Sequence, residues 1–412
     1  MKLACTGFVS ASAGSGTSAN TLVLKQLLAR GVEVDFFSKP SFIDPRPIVG
    51  YMAGFRFVPV ENRILDFVRT RLKAVPLLGT AAGIADAYSY SRLVARTIAR
   101  EHRHRQYDLC VWLGDYARGA IRSLPSLSFV QGPPGTDARS ILTHSDEVRR
   151  LAGPLRSFKW QILARLRLSP LGLPPIRYTD HFFVGSKQSK EALAKLYGVD
   201  PSHISVLPHP VDLQAFRPTS SSTNSSSLRV LWLGRIVPRK RLDIFLDGAA
   251  QAIRRGVDLK LTMVGAATLI PEYENMIRSF PYPDRLERLA PVDRTRVPAF
   301  LSGHDVLAQP SDEENFGSSV AEAQACGIPV IVGRTNGNAD YLCARDIHLA
   351  DERSETFAEA LIEMHQRKIS GTLGDPATSR SLAEAYFDID QVMDQLIRVL
   401  EKVRNAGRSG AS

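Results

Sequence analysis

Cysteine is scarce in this chain of 412 residues, which has four in all. Cys5, Cys110, Cys326 and Cys343 show no C-x-x-C spacing and no histidine cluster beside them, which excludes a disulfide scaffold and a zinc ribbon. They are expected to be reduced, mostly buried thiols of a cytoplasmic protein. No run reaches the roughly 18 apolar residues that a membrane-spanning helix needs, so the protein is expected to be soluble or at most peripheral. The opening "MKLACTGFVSASAGSG" imitates a secretory leader, but Thr6 and Gly7 interrupt its apolar run and it reads as a first strand. Low-complexity blocks are absent too. A composition of 44% hydrophobic and 23% charged residues is that of an ordinary globular protein, long enough for two cores.

Acids are in short supply in one half only. Residues 1–219 carry 29 Lys or Arg against 16 Asp or Glu, whereas the remainder carries 23 against 26. The whole +10 excess therefore belongs to the N-terminal half, which points to an anionic partner: nucleic acid, an acidic substrate or an anionic membrane. No aromatic-basic module supports nucleic acid. The stretch "RRLAGPLRSFKWQILARLRL" (149–168) has the composition of an interfacial amphipathic helix, or of a basic solvated helix packed on its own domain.

What is present is a repeated α/β pattern. An apolar strand (2–10), a small-residue loop (11–20), a helix pattern (21–31) and a second strand (32–38) form a βαβ unit. Further strands are expected at 108–114, 127–132, 181–186 and 204–212. The Ser-rich "RPTSSSTNSSS" (217–227) cannot build a core and reads as a linker. After it the pattern restarts, with strands at 228–234, 259–265 and 305–311, a helix at 242–256, and 329–333 closing the sheet. Two Rossmann-like domains facing across a cleft are expected, over 1–217 and 228–387, joined by a linker at 218–227. The stretch 388–412 reads as a helix with i, i+3/i+4 apolar spacing (388–407) and a disordered tail, "RSGAS", and the helix is expected to pack back on the first domain.

The second domain carries the chemistry. In "PSDEENFGSSVAEAQACGIPVIVG" (310–333), a strand ends and Gly317, Ser318 and Ser319 begin a helix. The exposed amides of a helix N-terminus suit a phosphate. Glu314 before the helix and Glu322 on it are good acceptors for the hydroxyls of a sugar attached to that phosphate. Asp312 and Glu313 have no role in this reading and are expected to be solvated. "LGRIVPRKR" (233–241) places Arg235 and Lys240 at a strand-to-helix connection, where two cations neutralise a diphosphate without a metal ion. Its alternative is that Arg239, Lys240 and Arg241 form a solvated charge run.

These residues together resemble retaining glycosyltransferase family 4, whose members have the two-domain GT-B fold. Glu314 and Glu322 fit its E-x7-E motif, within "ENFGSSVAEAQACGIPVI". "GRIVPRK" and "PHPVDLQAFRP" (208–218) resemble two further family elements, and the likeness spans residues 180–400. The resemblance implies sugar transfer from a nucleotide sugar, UDP- or GDP-linked, to an acceptor hydroxyl with retention, and with no further cofactor and no metal. It implies that Glu322 binds the ribose and Glu314 faces the donor sugar. Phe316 belongs to the motif, and Gly317, Ser318 and Ser319 offer amides to the diphosphate. Arg235 and Lys240 stabilise the leaving group. Gly14 and Gly16 approach the phosphates from the first domain, and Val264, Gly265 and Val292 hold the base. The acceptor implied is a glycan or a lipid-linked molecule at the inner membrane face.

The sequence departs from that pattern at several positions. A histidine expected after an N-domain strand is Gln131, and His144 is the residue available to replace it on the acceptor side. His209-Pro210 stands for an Asn-Gly, and Arg241 for a glycine. Two other functions therefore stay open at this stage: a nucleotide-sugar epimerase of the same fold, and a non-catalytic nucleotide-binding subunit.

Overall fold

The computed structural model describes residues 1–10, 15–44, 46–72, 75–117, 119, 121, 124–130, 132–219 and 225–409. Contacts divide the chain into two compact units, one of residues 1–138, 162–210 and 390–412, the other of residues 139–161 and 211–389.

The first unit is built on a seven-stranded sheet. Its strands are β1 (Lys2–Gly7), β2 (Glu33–Ser38), β3 (Phe55–Pro59), β4 (Leu109–Leu113), β5 (Ser126–Phe129), β6 (His181–Val184) and β7 (Ile204–Val206). They lie in the order β3-β2-β1-β4-β5-β6-β7, with every pair parallel. Central strands of a parallel sheet are covered on both faces, which is why "LCVWL" in β4 is apolar throughout and wholly buried. The C-terminal helix Ile389–Ser409 groups with this unit, as expected. Its face of Val392, Met393, Leu396 and Leu400 is buried, worth about 1.5–3 kcal/mol for each side chain.

The second unit has a six-stranded sheet of β8 (Leu228–Leu233), β9 (Leu259–Val264), β10 (Leu286–Leu289), β11 (Val306–Gln309), β12 (Val330–Val332) and β13 (Ile347–His348). Their order is β10-β9-β8-β11-β12-β13, again all parallel. The strand order reverses between β8 and β11, and a doubly wound sheet receives ligands at the carboxyl ends of the strands flanking such a reversal.

Sequence reasoning missed β3, β10 and β13. Each is the outermost strand of its sheet, half exposed, and "FRFVP" and "LERL" carry charges that dilute the apolar signal. The expectation that 329–333 closes the second sheet is corrected by β13, which pairs beyond it. The core of the expected linker, 220–224, lies outside the described residues.

Candidate active site at the carboxyl edge of the second sheet

Two loops meet where the strand order reverses. The first leaves β8 through Gly234 and turns at Pro238–Lys240 into the helix Leu242–Arg254. Proline at the first turn position sets its φ, and Lys240 and Arg241 amides donate back to Val237 and Pro238 carbonyls at 2.9 and 3.0 Å. Arg241 closes the turn in the left-handed region (φ 53°), a conformation that costs a residue with a Cβ about 1–2 kcal/mol. This explains why a glycine suits the position. Here the strain is offset by a two-pronged Arg241–Asp243 pair at 3.0 and 2.9 Å, with Glu352 at 3.5 Å from the same guanidinium.

The second loop runs from β11 to the helix Ser318–Ala325. Gly317 caps that helix with φ 74°, and an added Cβ would stand 2.9 Å from Asn336 Oδ1 and 3.3 Å from Gln309 Oε1. Glycine is therefore required both for its torsion and for its space. Gln309 donates to Ser319 Oγ at 3.0 Å, and Gly337 N–H donates to the Glu314 carbonyl at 2.7 Å, which ties the loop to the segment after β12.

Several charges in these loops are buried, not solvated. Glu314, Arg239 and Lys240 are each less than a tenth exposed. Arg239 Nη1 donates to Glu314 Oε2 at 2.9 Å, and Lys240 Nζ forms a second ion pair with the same oxygen. Burial opposes charge on Glu314, but Arg239 and then Lys240 outweigh it and draw the carboxyl down to about 2. One carboxylate cannot serve two cations fully. Burial, only partly countered by Glu314, brings Lys240 down to about 8, with Arg239 and Arg235 adding repulsion. The cluster is thus a buried carboxylate under two cations, net positive, with exposed Arg235 beside it. Such an arrangement suits an arriving dianion.

Three residues join the site beyond those that the sequence assigns to it. Arg239 had counted as part of a solvated run, and its burial against Glu314 corrects that. Asp312 had been read as solvated, yet it is 7% exposed, accepts from Thr335 Oγ1 at 2.6 Å and pairs with His144 Nε2 at 3.2 Å. Burial works against its charge, but the bonds from His144 and Thr335 hold its carboxyl below the usual range. The third is Arg294, in the turn after β10, whose Nη2 donates to Glu322 Oε1 at 2.6 Å. Burial pushes the Glu322 carboxyl up, with Arg294 pulling against it. Arg294 follows β10, which the sequence pattern does not reveal, so its place at a strand's carboxyl end could not be read in advance. Glu313 sits at φ 48°, half-buried, with its amide donating to Thr335 Oγ1 at 3.0 Å.

The remaining expected residues fall in different places. Ser318 and Ser319 open the helix and Glu322 lies one turn into it. Val264 ends β9 and is buried; Gly265 follows so close to the first loop that a Cβ would lie 1.8 Å from the Gly234 carbonyl oxygen. Val292 is half-buried beyond β10, against the core. Phe316 does not line the edge: it is 1% exposed, edge-on to Phe387 at 5.6 Å and to Tyr341 at 6.5 Å. It anchors the loop from beneath. His144 is engaged by Asp312 in the second unit. Gly16 lies early in the helix Ser15–Ala29 of the first unit, while Gly14 and Gln131 lie outside the described residues. Among the described residues no group of three or more His, Cys, Asp or Glu could hold a metal ion.

Residues 216–372 match the family described as "Glycosyl transferases group 1". A relative from Catenulispora acidiphila, D-inositol 3-phosphate glycosyltransferase 2, is 32% identical over 43% of this chain and 44% of its own length. The chain thus spans less than half the length of the first curated relatives it matches. A D-inositol 3-phosphate glycosyltransferase of Thermomonospora curvata is 23% identical over 88% of each chain. Among solved structures, the Anabaena protein HepE in complex with UDP-glucose is similar with a TM-score of 0.63 and 15% identity, over 97% of this chain and 99% of that one. Residues 216–372 thus match the group 1 glycosyl transferase family, and the chain has the GT-B fold and resembles glycosyltransferase family 4.

Proposed function

We propose that the protein transfers a sugar from a nucleotide-sugar donor to an acceptor hydroxyl, with retention at the anomeric carbon and without a metal ion. The observation that carries this is the buried Glu314–Arg239–Lys240 cluster beside the Ser318–Ala325 helix N-terminus, at the reversal of strand order. Relatives named as glycosyltransferases and a similar fold solved with UDP-glucose support the donor class. The donor proposed is a UDP- or GDP-sugar.

In this mechanism the diphosphate lies on the helix amides, with Lys240 and Arg235 against its oxygens. The bond from the anomeric carbon to the phosphate oxygen breaks, and the nucleoside diphosphate leaves with the electron pair. The acceptor oxygen bonds to the same carbon from the same face, and its proton passes to the departing phosphate. Glu314 orients Arg239 and Lys240 and accepts from sugar hydroxyls, while Glu322 holds the ribose. Fixed charges of this kind are worth about 10²–10³ in rate each.

The acceptor we infer is lipid-linked, within surface polysaccharide or glycolipid synthesis. Leu155 and Phe158 are 85% and 61% exposed on the segment 149–168, beside exposed Arg149, Arg150, Arg156 and Lys159. That is the surface an anionic membrane would receive. No helix among the described residues is long and apolar enough to cross a membrane.

The test is incubation with UDP-, GDP- and ADP-sugars, with and without EDTA, measuring nucleoside diphosphate release. Release from one donor, insensitive to EDTA, is expected. Nucleotide binding without release would favour a non-catalytic subunit, and sugar interconversion without release an epimerase. Flotation with anionic liposomes tests the surface: Leu155→Ser with Phe158→Ser should abolish it, and undiminished flotation refutes the assignment.

A further inference from the structure

Glu322 is 3% exposed, and its charge is held by a single strong contact in the described structure, the 2.6 Å bond from Arg294 Nη2. That guanidinium is itself fixed. It lies over the Phe216 ring with its carbon 5.3 Å from the centroid, and Phe216 is 3% exposed in the core. Arg294 stands at the carboxyl edge two residues beyond Val292, beside the strand end expected to receive the base. A carboxylate offers about four acceptor sites, so one guanidinium contact leaves room for two vicinal hydroxyls. A buried carboxyl without a cation would take up a proton and lose its charge-assisted bonds.

We propose that Arg294, clamped on Phe216, is a positioning residue that holds Glu322 as an oriented carboxylate for the ribose hydroxyls of the nucleotide. This rests on the nucleotide-sugar reading of the site and adds to it the residue that determines selection for a ribose bearing both hydroxyls. Arg294 acts through Glu322 and need not touch the ligand. Its effect is confined to the affinity difference between ribose and a sugar lacking the two hydroxyls.

Titration calorimetry of the full chain with UDP, GDP and ADP identifies the tightest-binding diphosphate. That ligand and its 2′,3′-dideoxy counterpart are then titrated into wild type, Arg294→Met and Arg294→Lys. Wild type should prefer the ribose ligand by about tenfold or more, the worth of even one hydrogen bond from a hydroxyl to a charged acceptor, which the dideoxy ligand cannot make. Arg294→Met should lose most of that preference while keeping its dideoxy affinity, and Arg294→Lys should restore part of it. The retained dideoxy affinity shows that the site is still folded. Equal weakening of both ligands in Arg294→Met, or ribose binding as tight as wild type, overturns the proposal. Wild-type binding with no ribose preference also overturns it and leaves the nucleotide reading standing. If wild type binds none of the three diphosphates, that reading fails and this inference with it.

Discussion

Replacing Lys240 with Met should make the protein more stable and nearly inactive. Lys240 is 8% exposed, and its ammonium shares one carboxylate with Arg239. Its fall from 10.5 to about 8 includes the attraction of Glu314, so it measures the net cost of keeping the charge in the folded protein. At about 1.4 kcal/mol per unit, that cost is about 3 kcal/mol at neutral pH. Methionine has similar length and no charge, and Arg239 remains to neutralise Glu314. Urea unfolding at pH 7 should therefore show a gain of about 1–3 kcal/mol, reduced from the full figure by imperfect packing. Donor turnover should fall by about 10²–10³ on the proposed mechanism, in which Lys240 faces the leaving diphosphate. Glu314→Gln should do the reverse for stability and lose about 3 kcal/mol or more, since it leaves two buried cations with no shared anion. A Lys240→Met protein that is destabilised by more than about 1 kcal/mol would show that the charge is structural and refute the reasoning.

Other predictions follow the same physics. Because the folded pKa of Lys240 lies below its unfolded value, the native state loses that proton first; kcat/KM should fall as pH rises through about 8, while this group's contribution to stability rises from about 8 towards 10.5. A pH-rate profile flat to pH 9.5 would exclude Lys240 from the leaving-group role. Burial, with Asp243 nearby, pushes the Glu147 carboxyl up to about 7, against the Tyr273 hydroxyl bond at 2.8 Å and the charges of Arg241 and His144. Its stabilising contribution is complete below about 4.5 and lost as pH rises through about 7. Glu147→Gln should match wild type near pH 4 and exceed it by about 3 kcal/mol at pH 8 in paired urea titrations; equal stability at pH 8 would contradict the shift. Gly265→Ala drives a methyl against the Gly234 carbonyl and should cost more than about 3 kcal/mol or abolish folding, and a wild-type melting curve would refute that crossing.

How much was legible in the sequence depended on burial. Strands such as β4 and β12, apolar on both faces, announce themselves. The edge strands β3, β10 and β13 alternate with charge or are too short to carry a pattern. In the site, Glu314, Glu322 and Lys240 were accessible through spacing and position after strands. Arg239 was not, because its meaning depends on an ion pair to a residue 75 positions away, and Arg294 likewise on one 28 positions away. Lone charged residues read as solvated until the fold buries them together. Asp312 is the same case, since only folding delivers Thr335 and His144 to its carboxylate.

The central claim is that a nucleoside diphosphate sugar binds at the edge where β8 and β11 end. Hydrogen exchange of the full chain, with and without the tightest-binding of UDP, GDP and ADP, tests it most directly. Protection should appear in peptides covering 235–241, 292–296 and 314–322. Binding that leaves those three segments unprotected would contradict the account.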